Sequence, residues 1–296
     1  MKKGMKDTRP SRLQDRAHSN GLRLVSASVL ILLALYLLMP AAPAEAAINQ
    51  IMVTNVTDVS FNVNWTTTTA NTGSVVHWGL SSGSLTNTAN DSITASSTTH
   101  SVFVNHGSPS TTIYFEVVSG GQTVGGQQVT SGAALGVPPS GQNITGTVYK
   151  TGGVTLSPNV IVFIQLQDAG GGGSGGNSQW GSTISDSGGT WIYNLGGLRT
   201  SNASTYFSWT AGTDKVRLIW QGGADGCIGE SPSDERTFTT NTTFPQTINM
   251  TLDGNPTAVR LSALKATPLA RPPALPVLLL AAGLLAGAVW LLRKKL

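Results

Sequence analysis

Ser60-Phe-Asn-Val-Asn-Trp-Thr66 sets the period of the chain. Phe61, Val63 and Trp65 alternate with Ser60, Asn62, Asn64 and Thr66, the two-residue repeat of a strand with one face on a core and a polar face opposite. Working outward, Val75-Val-His-Trp78 reads as a second strand, closed by Gly79 and the turn composition Ser81-Ser-Gly83. Ser101 to Asn105 and Thr112 to Val118 read as two more, separated by His106-Gly-Ser-Pro109. No stretch of residues 48–260 sustains a 3.6-residue apolar period. Short strands with turn signals about every ten residues predict an antiparallel sandwich.

A break follows at Ser131-Gly-Ala-Ala-Leu-Gly-Val-Pro-Pro-Ser-Gly141, where paired prolines and flanking glycines mark a boundary. Beyond it, Asn143 to Tyr149 and Asn159-Val-Ile-Val-Phe-Ile-Gln-Leu166 read as strands. The Gly-rich insertion Gly170 to Gly176 comes next, then a turn and strand over Thr183 to Leu195, and strands at Lys215 to Trp220 and Gln246 to Leu252. The fold class expected is all-β: two antiparallel β-sandwich domains, at 48–133 and 142–253, joined by a linker at 134–141.

Particular motifs carry two resemblances. Trp65, Ser74-Val-Val-His-Trp-Gly79 and Ser110-Thr-Thr-Ile-Tyr-Phe115 make the first half resemble a fibronectin type III domain. Gly79 to Leu85, a Gly-x-x-x-Gly-x-Leu stretch, is similar to the type preceding the catalytic part of purple acid phosphatases. That resemblance implies a core role for Trp65 and a strand-capping phenol at Tyr114. In the second half, Ile144-Thr-Gly-Thr-Val148 and Ser185-Asp-Ser-Gly-Gly-Thr-Trp-Ile-Tyr-Asn-Leu195 resemble the carboxypeptidase regulatory-like domain, a transthyretin-like sandwich.

The charges are few and unevenly placed. Only 11% of the 296 residues are charged, against roughly 25% in ordinary soluble domains. Residues 1–47 carry seven Lys/Arg and three acids, 48–260 six and eleven, and 261–296 five and none. A nucleic-acid binder needs a basic face on its folded part, and the mildly acidic middle excludes that class. The single cysteine, Cys227, excludes an intrachain disulfide framework and a multi-Cys zinc site.

The basic ends have a membrane logic. Seven Lys/Arg precede the apolar run Leu24 to Met39, which leads into Pro40 and Ala41-Ala-Pro-Ala-Glu-Ala-Ala47. This is the order of a secretory signal over 1–46, cleaved after Ala46. The run makes about 24 Å of helix, short against a hydrocarbon core of about 30 Å, which favours a cleaved signal over a retained anchor. Pro272 to Leu292 carries no charge and gives about 30 Å of helix, enough to span. After a linker at 254–271, this predicts a C-terminal transmembrane helix over 272–292. The tail at 293–296 (Arg-Lys-Lys-Leu) is then held in the cytoplasm by its positive charge. Gly283 and Gly287 within the helix are ordinary small residues of membrane segments as well as a G-x-x-x-G. The segment also resembles the sorting regions cut by exosortase-type enzymes, without their Pro-Glu-Pro triplet.

Candidate chemistry is sparse. Gly170 to Gly176 lacks the Gly-Lys-Ser/Thr ending and following helix of a phosphate cradle, so a flexible strand-connecting loop is expected. His77, His100 and His106 have no paired carboxylate spacing, and structural or surface roles outweigh a metal site. The Asp-x-His and Gly-Asn-His blocks of a metallophosphatase do not occur. Ser185-Asp-Ser-Gly-Gly189 is a turn composition before it is a nucleophile. Cys227 has no motif beside it. Trp191 and Trp220 lie in strand patterns and are expected in a core, whereas Trp180, beside the Gly-rich loop, is the candidate ligand contact for a sugar. Seven Asn-x-Ser/Thr sequons occur, at Asn55, Asn64, Asn90, Asn143, Asn202, Asn241 and Asn249.

The expectation is therefore a bacterial, single-pass, surface-displayed protein without catalytic, cofactor or metal residues. Its adhesive or scaffolding partners would be an extracellular protein or polysaccharide, with a carbohydrate-binding module or a sorting-enzyme substrate as alternatives.

Overall fold

The computed structural model describes residues 47–170, 172–229 and 235–255. The expected signal over 1–46 with its cleavage site, the helix over 272–292, the basic tail and nearly all of the linker before that helix lie outside them. Among the described residues no helix is long and apolar enough to cross a membrane. Their helical pieces are two single 3-10 turns, Leu195–Gly197 and Gly223–Asp225.

The first half builds β1 (Ile48–Thr54), β2 (Ser60–Asn71), β3 (Val75–Gly79), β4 (Asn87–Asn90), β5 (Ser97–Asn105), β6 (Thr112–Ser119) and β7 (Gln122–Thr130). One sheet runs β1-β2-β5 and the other β4-β3-β6-β7, the three-on-four order of an immunoglobulin-like β-sandwich. Phe61, Val63, Trp65, Val102 and Val104 from the first sheet meet Val76, Ile113, Phe115 and Val117 from the second. The alternation read in the sequence produces this core. Gly79 ends β3 because a side chain there would collide with the Ser84 carbonyl. β7 carries a bulge in which Gly125 and Gly126 oppose Glu116 alone, and Gly126 takes φ of 73°.

The second half builds β8 (Asn143–Tyr149), β9 (Ile161–Gln167), β10 (Gly181–Ile184), β11 (Thr190–Asn194), β12 (Lys215–Gln221), β13 (Cys227–Ile228), β14 (Arg236–Thr239), β15 (Gln246–Thr247) and β16 (Met250–Thr251). One sheet runs β10-β9-β12, with β13 and β14 both pairing β12. The other sets β8 between β11 and β15, and β15 and β16 run parallel to β8. Trp191 and Trp220, each fully buried, meet edge to face at 6.3 Å in the core between these sheets. Gly146 lies at the crowded centre, where a β-carbon would strike the Ile248 backbone and the Trp191 indole.

Three expectations are corrected. Tyr114 does not cap a strand: β6 turns Ile113, Phe115 and Val117 inward, so the two-residue period places the phenol on the outer face. The Gly-rich segment is not a loose loop. Ala169 and Gly170 donate their amides to Asp214 Oδ1 at 2.9 and 3.0 Å, and Gly173 and Gly175 donate to Asp168 Oδ2 at 3.1 and 3.0 Å. Two carboxylates thus satisfy backbone donors that would otherwise need water. The polar face of β2 is not bathed in solvent either: Ser60, Asn64 and Thr66 are all buried, because the second sandwich covers them.

Candidate functional site

The covering is face to face. β1, β2 and β5 of the first sandwich lay their outer face on the outer face of β9, β10 and β12. Met52 packs with Ile161, Phe163 and Ile219, and Trp180 borders this apolar patch. Around it the bonds are polar. Asn64, fully buried, donates to Thr54 Oγ1 at 2.8 Å and accepts from Ser101 Oγ at 2.8 Å. Thr54 Oγ1 and Ser182 Oγ lie 2.6 Å apart. Farther along, Thr99 donates to the Asn159 carbonyl at 2.7 Å and Ala224 N–H to Thr98 Oγ1 at 2.9 Å. Buried polar groups are tolerable only when paired: Asn64 pairs within the first sandwich, while Thr54, Thr98 and Thr99 pair across the junction.

Asn55 is its centre. Its carboxamide accepts from Ser182 N–H at 3.0 Å and donates to Ser182 C=O at 2.8 Å, imitating the two-point bond of a neighbouring strand. Tyr193 Oη donates to the same Asn55 oxygen at 2.9 Å, and burial raises the Tyr193 pKa above its usual range, so the phenol stays a donor. Asn55 N–H donates to the Trp180 carbonyl at 3.0 Å. The residue sits at φ of 51°, a left-handed conformation that asparagine adopts more readily than most side chains.

Beside Asn55 the two sandwiches and the connecting segment leave an open cleft of about 440 Å³. At its base Arg199, almost wholly buried, donates from Nη2 to Asp58 Oδ1 at 2.9 Å and from Nη1 to the Ala133 carbonyl at 2.7 Å. Its guanidinium lies 5.6 Å from the centre of the Tyr206 ring, and Tyr206 Oη donates to the Gly136 carbonyl at 2.6 Å. The connecting segment expected as a linker is therefore tied to the second sandwich, which Asn194 reinforces by donating to the Pro139 carbonyl.

The singled-out residues are placed as follows. Trp180 is half-buried against the junction and carries Arg217 at 5.5 Å from its ring centre, so its aromatic faces serve packing and a cation. His100 lies inside β5, facing the core. It stacks on Trp65 at 5.3 Å, its Nδ1 is 2.7 Å from Asp91 Oδ2, and its Nε2 is 3.1 Å from Thr67 Oγ1. His77 bonds Thr88 on the surface. His106 packs on Phe61 near Asp58, and burial lowers its pKa below the usual 6.5 against the opposing pull of Asp58. Among the described residues no group of three or more His, Cys, Asp or Glu is placed to hold a metal. Ser185 Oγ bonds the Val160 amide and the Ser157 carbonyl, while Asp186 closes the turn to Gly188 and Thr190. Cys227 is buried in β13. The cleft itself was missed in the sequence, since Asp58, Leu135, Arg199 and Tyr206 share no motif and come together only in space.

No family model matches the chain. No curated protein matches it either. Among solved structures, the fibronectin domains FN1–FN3 of chicken CNTN1 align at 12% identity over 72% of this chain and 68% of that one, with a TM-score of 0.24. The major pilin subunit BcpA of Bacillus cereus aligns at 8% over 70% of each, with a TM-score of 0.20. The pilus 2b backbone protein of group B streptococcus aligns at 10% over 71% of this chain and 96% of that one, with a TM-score of 0.21. At these TM-scores the likenesses carry no argument, and the sandwich architecture stands on strand order and register.

Proposed function

We propose that the chain is a non-enzymatic, surface-displayed scaffold of a bacterial envelope. In this reading a fibronectin type III-like and a regulatory-like sandwich form one stiff body on the outside, held by a membrane helix over 272–292. The observation that carries it is the face-to-face junction. A junction of buried polar pairs and apolar packing resists hinge motion, which suits a spacer that must hold a binding surface away from a membrane. The charge distribution supports the orientation, with basic residues concentrated at both ends of the sequence and a mildly acidic stretch between. The side chains with catalytic character support the absence of an enzymatic role, because Ser185, Asp186 and His100 are each committed to bonds that hold the fold. Protease treatment of intact cells tests the display. The full chain should sediment with membranes and lose its β-sandwich portion to externally added protease. A chain that is protected until the cells are lysed would refute this reading.

A further inference from the structure

We propose that the junction cleft binds a neutral, hydroxyl-rich ligand, the terminal sugar of a saccharide. The cleft volume of about 440 Å³ falls within the range of about 300–1,000 Å³ for small-molecule sites. Its chemistry narrows the class. Asp58 presents one carboxylate oxygen to Arg199, and its other oxygen has no protein donor among the described residues. Gln179 spends its Nε2 on the Val56 carbonyl, which leaves its Oε1 as a second acceptor on the cleft wall. Two open acceptors call for a ligand that brings donors.

Charge decides between the donors available. Arg199 already neutralises Asp58, and among the described residues these are the only charged ones on the cleft wall. An ammonium ligand would therefore meet a compensated carboxylate beside a buried guanidinium. A hydroxyl loses no charge solvation on entering, and a hydrogen bond to an ionised acceptor is about twice as strong as a neutral one. Beside Asn55, Thr57 and Ser60, part of the wall is apolar or aromatic: Leu135, Pro138, Val59 and the Tyr206 ring. Such surfaces receive the C–H faces of a pyranose. Tyr206 is fixed in place beforehand by Gly136 and Arg199, so little ordering cost falls on binding. This transfers the sugar-contact role expected of Trp180 to the cleft beside it, and it does not depend on where the chain is displayed.

Saturation-transfer NMR on the full chain in a detergent without sugar headgroups tests it. The probes are the methyl glycosides of glucose, galactose, mannose and N-acetylglucosamine, with their disaccharides. At least one should receive saturation with a Kd of about 1 mM or tighter. Asp58→Asn should weaken that binding about tenfold or more. Because Asp58→Asn also leaves Arg199 without its counter-charge, Leu135→Trp provides an independent variant that fills the cleft from the connecting segment and should abolish the signal. The proposal is overturned if no glycoside receives saturation, or if binding survives Leu135→Trp. It is equally overturned if Trp180→Ala alone removes the binding, which would return the site to the indole, or if neutral tripeptides bind in place of the sugars.

Discussion

Asn55 shows how one side chain can hold two sandwiches together. Its carboxamide serves Ser182 and Tyr193, its backbone serves Trp180, and its left-handed φ is one that alanine tolerates poorly. Asn55→Ala should therefore cost about 2–4 kcal/mol, since it orphans a buried amide and phenol and adds backbone strain; urea unfolding followed by tryptophan fluorescence measures it. His106 gives a pH signature. Burial holds its folded pKa below 6.5, so the unfolded chain binds the proton more readily. Its contribution to stability is thus complete above about pH 6.5 and is lost as the pH falls toward the lowered folded pKa. His106→Gln should flatten the decline in melting temperature between pH 7 and 5, and an unchanged slope would assign that decline elsewhere. In the sequence Asn55 was visible only as the start of a sequon. Nothing local distinguishes an asparagine facing water from one facing another backbone.

At the scale of elements, the inward residues were legible because they obey a period. Phe61, Val63 and Trp65 lie where alternation puts them, and Trp191 and Trp220 pair in the second core. Outward residues were less legible. β2 has a polar outer face whether that face meets water or polar partners, so the junction left no mark there. β9 did leave one. The unbroken run Val160-Ile-Val-Phe-Ile164 that leads into it signals burial on both faces, and both are buried, Val162 and Ile164 in one core and Ile161 and Phe163 in the junction. β8 offers the sharpest test of packing. A methyl group at Gly146 has backbone on one side and an indole on the other, so Gly146→Ala should destabilise by about 3 kcal/mol. The same substitution at Gly83, which faces open space, should cost far less, and equal costs in thermal melts would contradict the packing described.

For the described residues as a whole, the junction merges what the sequence divides. The proline-rich segment near Pro138 and Pro139 reads as a linker between two domains, yet it is bonded along its length to the second sandwich. The two cores are separated by a third apolar cluster that belongs to both halves. Calorimetry should accordingly show one transition with a calorimetric-to-van't Hoff enthalpy ratio near one. Two resolved transitions would mean that the junction is too weak to couple the halves.

The sealed junction also governs how the protein can be produced. Asn55-Val-Thr57 and Asn64-Trp-Thr66 are both acceptor sequons, and the structure places Asn64 fully buried and Asn55 in a bond-by-bond fit with Ser182. In a secretory host that attaches glycans to nascent chains, sugar on either asparagine would stand where the second sandwich must dock. Such a host would yield separately folded halves with an unmade seam. Expression without that machinery, or with Thr57 and Thr66 replaced by alanine to remove the acceptor sites, lets the seam close.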